Sequence, residues 1–271
     1  MAKVLVVTSG KGGVGKTTST AAIGAALAQS GQKVVVIDFD VGLRNLDLVM
    51  GAERRVVFDL INVVQGVAKL SQALIRDKRL ENLWLLPASQ TRDKDALTEE
   101  GVGRVIAELR KSYDWVICDS PAGIERGATL AMRFADEAII VTNPEVSSVR
   151  DSDRIIGMLD SKTVRSEKGE QVKKHILISR YDPTRAAKGE MLRIDDVLEI
   201  LATPLLGIIP ESQDILRASN IGCPVILNSP TSVAARAYTE AMRRLMGETV
   251  TMRVPTERRG LMKLLLGRRA A

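Results

Sequence analysis

Seven short apolar runs rich in Val and Ile recur along the chain, separated by longer stretches in which apolar residues return every three or four positions. The runs are VLVVT (4–8), VVVID (34–38), LWLLPA (83–88), WVICDS (115–120), AIIVTN (138–143), HILISR (175–180) and LLGIIP (205–210). Unbroken apolar runs of this length suit strands buried on both faces. The intervening patterns predict helices over 16–29, 98–111, 145–160, 193–201 and 232–246. Strands and helices alternating in this way predict an α/β fold, with a mostly parallel central sheet, helices on both faces and ligands at the carboxyl ends of the strands. One domain is expected over 1–247. The stretch 248–257 (ETVTMRVPTE) reads as a linker, and 258–271 as a separate amphipathic tail.

Composition narrows the function classes. At 45% hydrophobic and 27% charged, the 271 residues can bury an ordinary core. Only 3% are aromatic, which argues against a base-stacking surface. No run of 18 apolar residues occurs, so no bilayer-spanning helix is expected. The first residues enter a strand-like run directly, without a signal-peptide layout. Cys118 and Cys223 are too far apart in sequence to suggest a disulfide framework or a zinc site. The formal net charge is +6, but residues 253–271 hold six basic residues against one acid, so the body is nearly neutral. No specific nucleic-acid partner is expected from such a body.

Residues 9–18 read SGKGGVGKTT, directly after the first strand and before the first helix. Gly10, Gly15, Lys16 and Thr17 satisfy G-x-x-x-x-G-K-[ST], and Gly12, Gly13, Val14 and Thr18 complete the loop. Backbone N–H groups of such a loop and the positive end of the following helix converge on phosphate oxygens. Lys16 would reach the outer phosphates, and the Thr17 hydroxyl would ligate Mg²⁺. Lys11 is a second lysine that an ordinary phosphate loop does not need.

Acids follow at strand ends. Asp38 and Asp40 close VVVIDFD, and Asp119 closes WVICD. Carboxylates there suit a magnesium ion held partly through water and the positioning of an attacking water. A turn or helix cap is the plainer alternative for the Asp38 and Asp40 pair.

Together SGKGGVGKTT, IDFDVGLRNLDLVMG, LPASQTRDKDALT, CDSPAG and TNPEVSSVRDSDRI resemble the septum-placing branch of the MinD/ParA family of deviant Walker A ATPases, P-loop NTPases of the SIMIBI type. The likeness runs over essentially the whole chain. It implies an ATP- and Mg²⁺-dependent homodimer on the cytoplasmic face of the bacterial inner membrane. It further implies recruitment of the division inhibitor MinC and release by hydrolysis stimulated by MinE or another topological factor. On this resemblance Lys11 reaches the nucleotide of a facing subunit, Lys16 acts on the phosphates and Asp40 positions water. Asp38, Asp119 and Thr17 support the metal, while Asn45, Asp119 and Gly123 belong to switch segments. Arg180, Pro210 and Glu211 lie near the adenine. Ser147, Ser148, Arg150, Asp151 and Asp153 form a partner surface, for which a solvated, capped helix start is the alternative reading. A DNA-partitioning ATPase or a flagellar-number regulator of the same family is the competing function.

The tail ERRGLMKLLLGRRAA follows the same logic. On a helix, Leu261, Met262, Leu264, Leu265 and Leu266 cover one broad side, with Lys263 opposite and Arg258, Arg259, Arg268 and Arg269 at the ends. Twelve residues span about 18 Å, too short for a hydrocarbon core of about 30 Å. The pattern suits a helix lying in the interface of an anionic membrane.

Overall fold

Val4 and Val6 of the first strand pack into one hydrophobic core, and Leu5 and Val7 into another. The same alternation divides Val35 and Ile37 from Val34 and Val36, and Ile176 and Ile178 from Leu177. Successive side chains of a strand point to opposite faces, so each unbroken apolar run serves two cores at once. The computed structural model describes residues 2–90 and 96–256. Among these the strands are β1 (Lys3–Thr8), β2 (Val34–Asp38), β3 (Ile75–Arg76), β4 (Leu83–Leu86), β5 (Trp115–Asp119), β6 (Glu137–Thr142), β7 (Lys173–Tyr181) and β8 (Leu205–Pro210). They form one sheet in the order β3-β4-β2-β5-β1-β6-β7-β8. All pairings are parallel except β3 with β4. No helix among the described residues is long and apolar enough to cross a membrane.

β1 sits between β5 and β6, so the chain winds outward from it in both directions. That arrangement opens a crevice at the carboxyl end of β1, where the phosphate loop begins. The helix Lys16–Gln29 leaves this point and is buried almost throughout its length. It is rich in Ala because it lies between the sheet and the helix Val233–Leu245, to which Ser19 and Tyr238 join it by a buried hydroxyl pair at 3.0 Å.

The expected strands and the five expected helices occur, with shifted ends. LWLLPA stops at Leu86 because Pro87 has no N–H for the ladder; its carbonyl instead accepts from Leu60 N at 2.9 Å. HILISR extends to Lys173–Tyr181. The two-residue β3 was not expected, since a pair such as Ile75–Arg76 carries no readable period. Residues 248–256 lie against the body: Arg244 donates to the carbonyls of Leu206, Val250 and Thr251, and Arg253 pairs with Glu240 at 3.4 Å. The tail residues 258–271 lie outside the described residues, as does the centre of LPASQTRDKDALT at 91–95.

At the opposite end of the sheet, Glu137 is buried among Lys3 at 2.9 Å, Lys173 at 3.9 Å and His175 at 3.5 Å, the last an ion-pair distance rather than a hydrogen bond. Burial alone would raise this carboxyl, but the His175, Lys3 and Lys173 side chains outweigh it and hold it at about 2. A depressed carboxylate contributes stability above its unfolded value of about 4.5 and loses it as pH falls toward 2. Both lysines are half-exposed and screened, so the contribution is on the order of 2 kcal/mol at neutral pH. Glu137→Gln should therefore lower the melting temperature at pH 7 by several degrees and leave it unchanged near pH 2. A pH-independent loss would assign Glu137 a packing role only.

Candidate active site

Gly10 lies against the first turns of the helix Val146–Ser161. A Cβ built on it would meet the Asp151 carbonyl oxygen and Cβ at 2.4 Å, so no larger residue fits. This contact presses the phosphate loop onto its neighbours. Two hydrogen bonds complete the frame: Ser179 Oγ donates to the Val14 carbonyl at 2.6 Å, and Gly123 N to the Ser9 carbonyl at 3.1 Å. The loop thus touches the ends of β5 and β7 and the start of the 146–161 helix.

Lys16 opens its helix and is only 8% exposed. Its Nζ donates to Ser9 Oγ at 2.9 Å. Burial pulls its pKa below the ordinary lysine value, while the charges of Asp119 and Asp40 oppose that shift. Asp38 and Asp119 end adjacent strands in register and are buried. Burial, and then the neighbouring Asp119, push Asp38 well above the usual carboxylate range, against hydrogen bonds from the backbone of Asp40 at 2.8 Å and Leu46 at 3.1 Å. Asp119 is raised to about 6, mainly by burial, against hydrogen bonds from Thr17 and Thr20 and the charge of Lys16. Thr20 Oγ1 donates to it at 2.8 Å.

Two buried carboxylates facing each other resist ionisation unless a cation joins them. A hydroxyl and two carboxylates beside the phosphate loop fit Mg²⁺, which takes few protein oxygens and completes its shell with water and phosphate. Thr17, Asp119 and Asp38 would hold it directly or through water.

Two cavities open from the loop. One, of about 820 Å³, runs from Gly15, Thr17 and Thr18 past Arg180, Pro210 and Glu211 to an apolar far end at Leu48, Ile215, Leu216 and Ile221. The other, of about 540 Å³, is bordered by Gly12, Gly13, Lys16, Thr17, Asp40, Ser120 and Pro121. Gly15, Thr17, Thr18, Asn45 and Arg180 border both. Arg180 adopts φ 53°, the left-handed region that non-glycine residues rarely enter. Asp38 and Asp119 lie beneath these spaces rather than on their walls, and Gly10, Lys11 and Gly123 line neither.

Lys11 turns the other way. Its Nζ donates to Glu145 Oε2 at 3.1 Å and Ser147 Oγ at 3.2 Å, at the start of the 146–161 helix. On that helix Ser147, Arg150 and Asp153 are exposed and Asp151 is half-buried. Ser148 is buried and shares a hydrogen bond with Thr142 Oγ1 at 3.0 Å, so its side chain cannot belong to an accessible partner surface here. It ties the strand-to-helix turn from within instead, accepting from Asn143 N at 3.2 Å.

Sequence reasoning missed Glu145 and the far wall of the larger cavity. The helix Gln213–Asn220 supplies Ile215, Leu216 and Ser219 there, and Tyr238 joins them. A strongly amphipathic helix directly after LLGIIP was the available signal.

The chain matches the CobQ/CobB/MinD/ParA nucleotide binding domain over residues 5–225. It is 61% identical over 270 residues to the septum site-determining protein MinD of Escherichia coli K12, covering 98% of this chain and 100% of that protein. The MinC:MinD cell division protein complex of Aquifex aeolicus superposes with a TM-score of 0.83 at 43% identity, over 94% of this chain and 100% of that one. The Pyrococcus horikoshii septum site-determining protein MinD complexed with Mg-ADP gives 0.79 at 31%, over 90% and 96%. With this identity over nearly its full length, and with the phosphate loop and strand-end acids in place, the chain belongs to the MinD septum site-determining proteins of the MinD/ParA family.

Proposed function

We propose that the chain is a Mg²⁺-dependent ATPase that helps to place the division septum, and that ATP-driven dimerisation controls its residence on the membrane. The observation that carries this reading is the convergence of Lys16, Thr17 and Asp40 on the smaller cavity, with Thr17 shared by the larger one and the buried Asp38–Asp119 pair beneath. Triphosphate oxygens would lie along the loop N–H groups and Lys16, with the base in the larger cavity near Arg180, Pro210 and Glu211. Bound Mg²⁺ would neutralise charge on the phosphates. Asp40 would orient the attacking water, and the positive charge of Lys16 would offset charge growing on the leaving phosphates. Asn45 lies between Asp40 and Leu46, whose N–H groups both donate to Asp38, and Gly123 is tied to Ser9, so both are suited to respond when the last phosphate departs.

Dimerisation requires Lys11 to exchange its own Glu145 for the nucleotide of a facing subunit. The exposed residues of the 146–161 helix would then form, with that second copy, the surface that recruits MinC and MinE or another topological factor. The basic, Leu-rich tail supplies the membrane grip. One tail binds anionic lipid weakly, and two on one dimer gain about 10²–10⁴-fold in avidity. Hydrolysis separates the subunits and frees each tail to leave the cytoplasmic face of the inner membrane.

Co-sedimentation with anionic liposomes in ADP and in ATP tests the coupling. Retention should require ATP, and equal retention in both nucleotides would defeat the proposal. Leu264→Glu should abolish retention while Mg-ATP affinity stays near wild type; a variant that still pellets would remove the tail from the account.

A further inference from the structure

The turn between β3 and β4 reaches across to the far wall of the larger cavity. Arg79, in this turn, donates through Nη1 to the Gly222 carbonyl at 2.8 Å and through Nη2 to the Met50 carbonyl at 2.6 Å. Asp77 holds the guanidinium from behind, accepting from Nη2 at 2.9 Å and from the Arg79 backbone N at 2.7 Å. Its side chain is almost fully buried, whereas Arg79 is one-third exposed. The two carbonyls belong to different walls. Met50 ends the helix Leu46–Val49, which carries Leu48, and Gly222 follows the helix Gln213–Asn220, which carries Leu216. The walls meet backbone to backbone: a Cβ on Gly51 would meet the Gly222 carbonyl oxygen at 2.5 Å, and one on Gly222 would meet Gly51 Cα at 2.7 Å. Across this seam one guanidinium bonds a carbonyl from each side, with the Cys223 side chain as a further neighbour.

We infer that Arg79, held by Asp77, is a positioning residue for nucleotide binding that sets the spacing of the apolar wall against which the base rests. This rests on the reading of the larger cavity as the nucleotide site. The phosphate end is built by the loop, Lys16 and Thr17, none of which touches Arg79, so the brace should matter for the base and not for the phosphates. It also assigns a purpose to an antiparallel edge pair on an otherwise parallel sheet.

Calorimetric titration of the full chain with Mg-ATP and with Mg-tripolyphosphate separates the two ends. Arg79→Met should weaken ATP binding about tenfold, the cost of losing charged donors on two carbonyls, and change tripolyphosphate binding by less than about twofold. Arg79→Lys, with a smaller and non-planar donor, should fall between. Should Arg79→Met not fold, Asp77→Asn, which loosens the guanidinium without removing it, should show the same preference for base over phosphate at a smaller size. Unchanged ATP affinity in these variants, or equal losses for ATP and tripolyphosphate, would overturn the brace. A wild-type chain that bound tripolyphosphate but gained nothing from the nucleoside would overturn the cavity reading itself, and the brace with it.

Discussion

Lys16→Ala should lose Mg-ATP binding by at least about 100-fold, and nucleotide-dependent liposome retention with it. The reason lies in where the ammonium sits. It is buried against Ser9 Oγ, with Asp119 and Asp40 as its charge partners. A buried cation facing anionic phosphate in a site that excludes water contributes far more than an exposed one, and removing one partner of such a pair costs about 3–5 kcal/mol. The substitution also takes the positive charge of Lys16 away from the buried Asp119, which disfavours the ionised form that a metal requires. Calorimetric titration with Mg-ATP measures the loss directly, and circular dichroism checks that the fold persists. Affinity within a few-fold of wild type would remove Lys16 from the phosphate site.

Asp40→Ala should behave differently, slowing hydrolysis by about 10²–10⁴-fold, the usual contribution of a positioned acid or base, while ATP still drives dimerisation. Asp40 borders the smaller cavity with Lys16, Thr17 and Ser120. Its backbone is fixed: the N–H donates to Asp38 Oδ1 at 2.8 Å, and its carbonyl accepts from Arg44 N at 3.1 Å. Alanine keeps both backbone bonds, so the switch segment should remain attached to Asp38 and only the side-chain carboxylate is lost. Single-turnover phosphate release and sizing chromatography with ATP separate the two effects. Normal turnover would eliminate Asp40 as the water-positioning group, and failure to dimerise would make it a binding residue.

The difference between these two residues traces how far the chain could be read before it was seen folded. The phosphate loop is local: eight consecutive positions, 10–17, carry the glycines, the lysine and the hydroxyl, and the flanking strand and helix orient them. The acids are less local, because Asp38 and Asp119 become a pair only when β2 and β5 align in register. The base-side wall is least local of all. It is assembled from Leu48, Leu216, Ile221 and Tyr238, whose side chains read as unremarkable apolar positions. The resemblance puts Arg180, Pro210 and Glu211 near the adenine, and the structure brings all three to one cavity. Ser148 shows the opposite case. A serine in an exposed-looking helix start reads as surface, but the helix turns it inward onto Thr142 and Asn143.

By itself the sequence determined the layered α/β architecture, since unbroken apolar runs alternating with helical patterns suit strands covered by helices on both faces, and it determined the phosphate chemistry, since that chemistry occupies one contiguous loop. Tertiary structure alone decided that Lys11 rests on Glu145, that Arg79 ties Met50 to Gly222, and that two strand-end carboxylates face each other. Each of these joins residues from separate parts of the chain through the order of the strands or the contact of two loops. Spacing along one chain records periodicity and local turns, but not which distant backbone segments pack together.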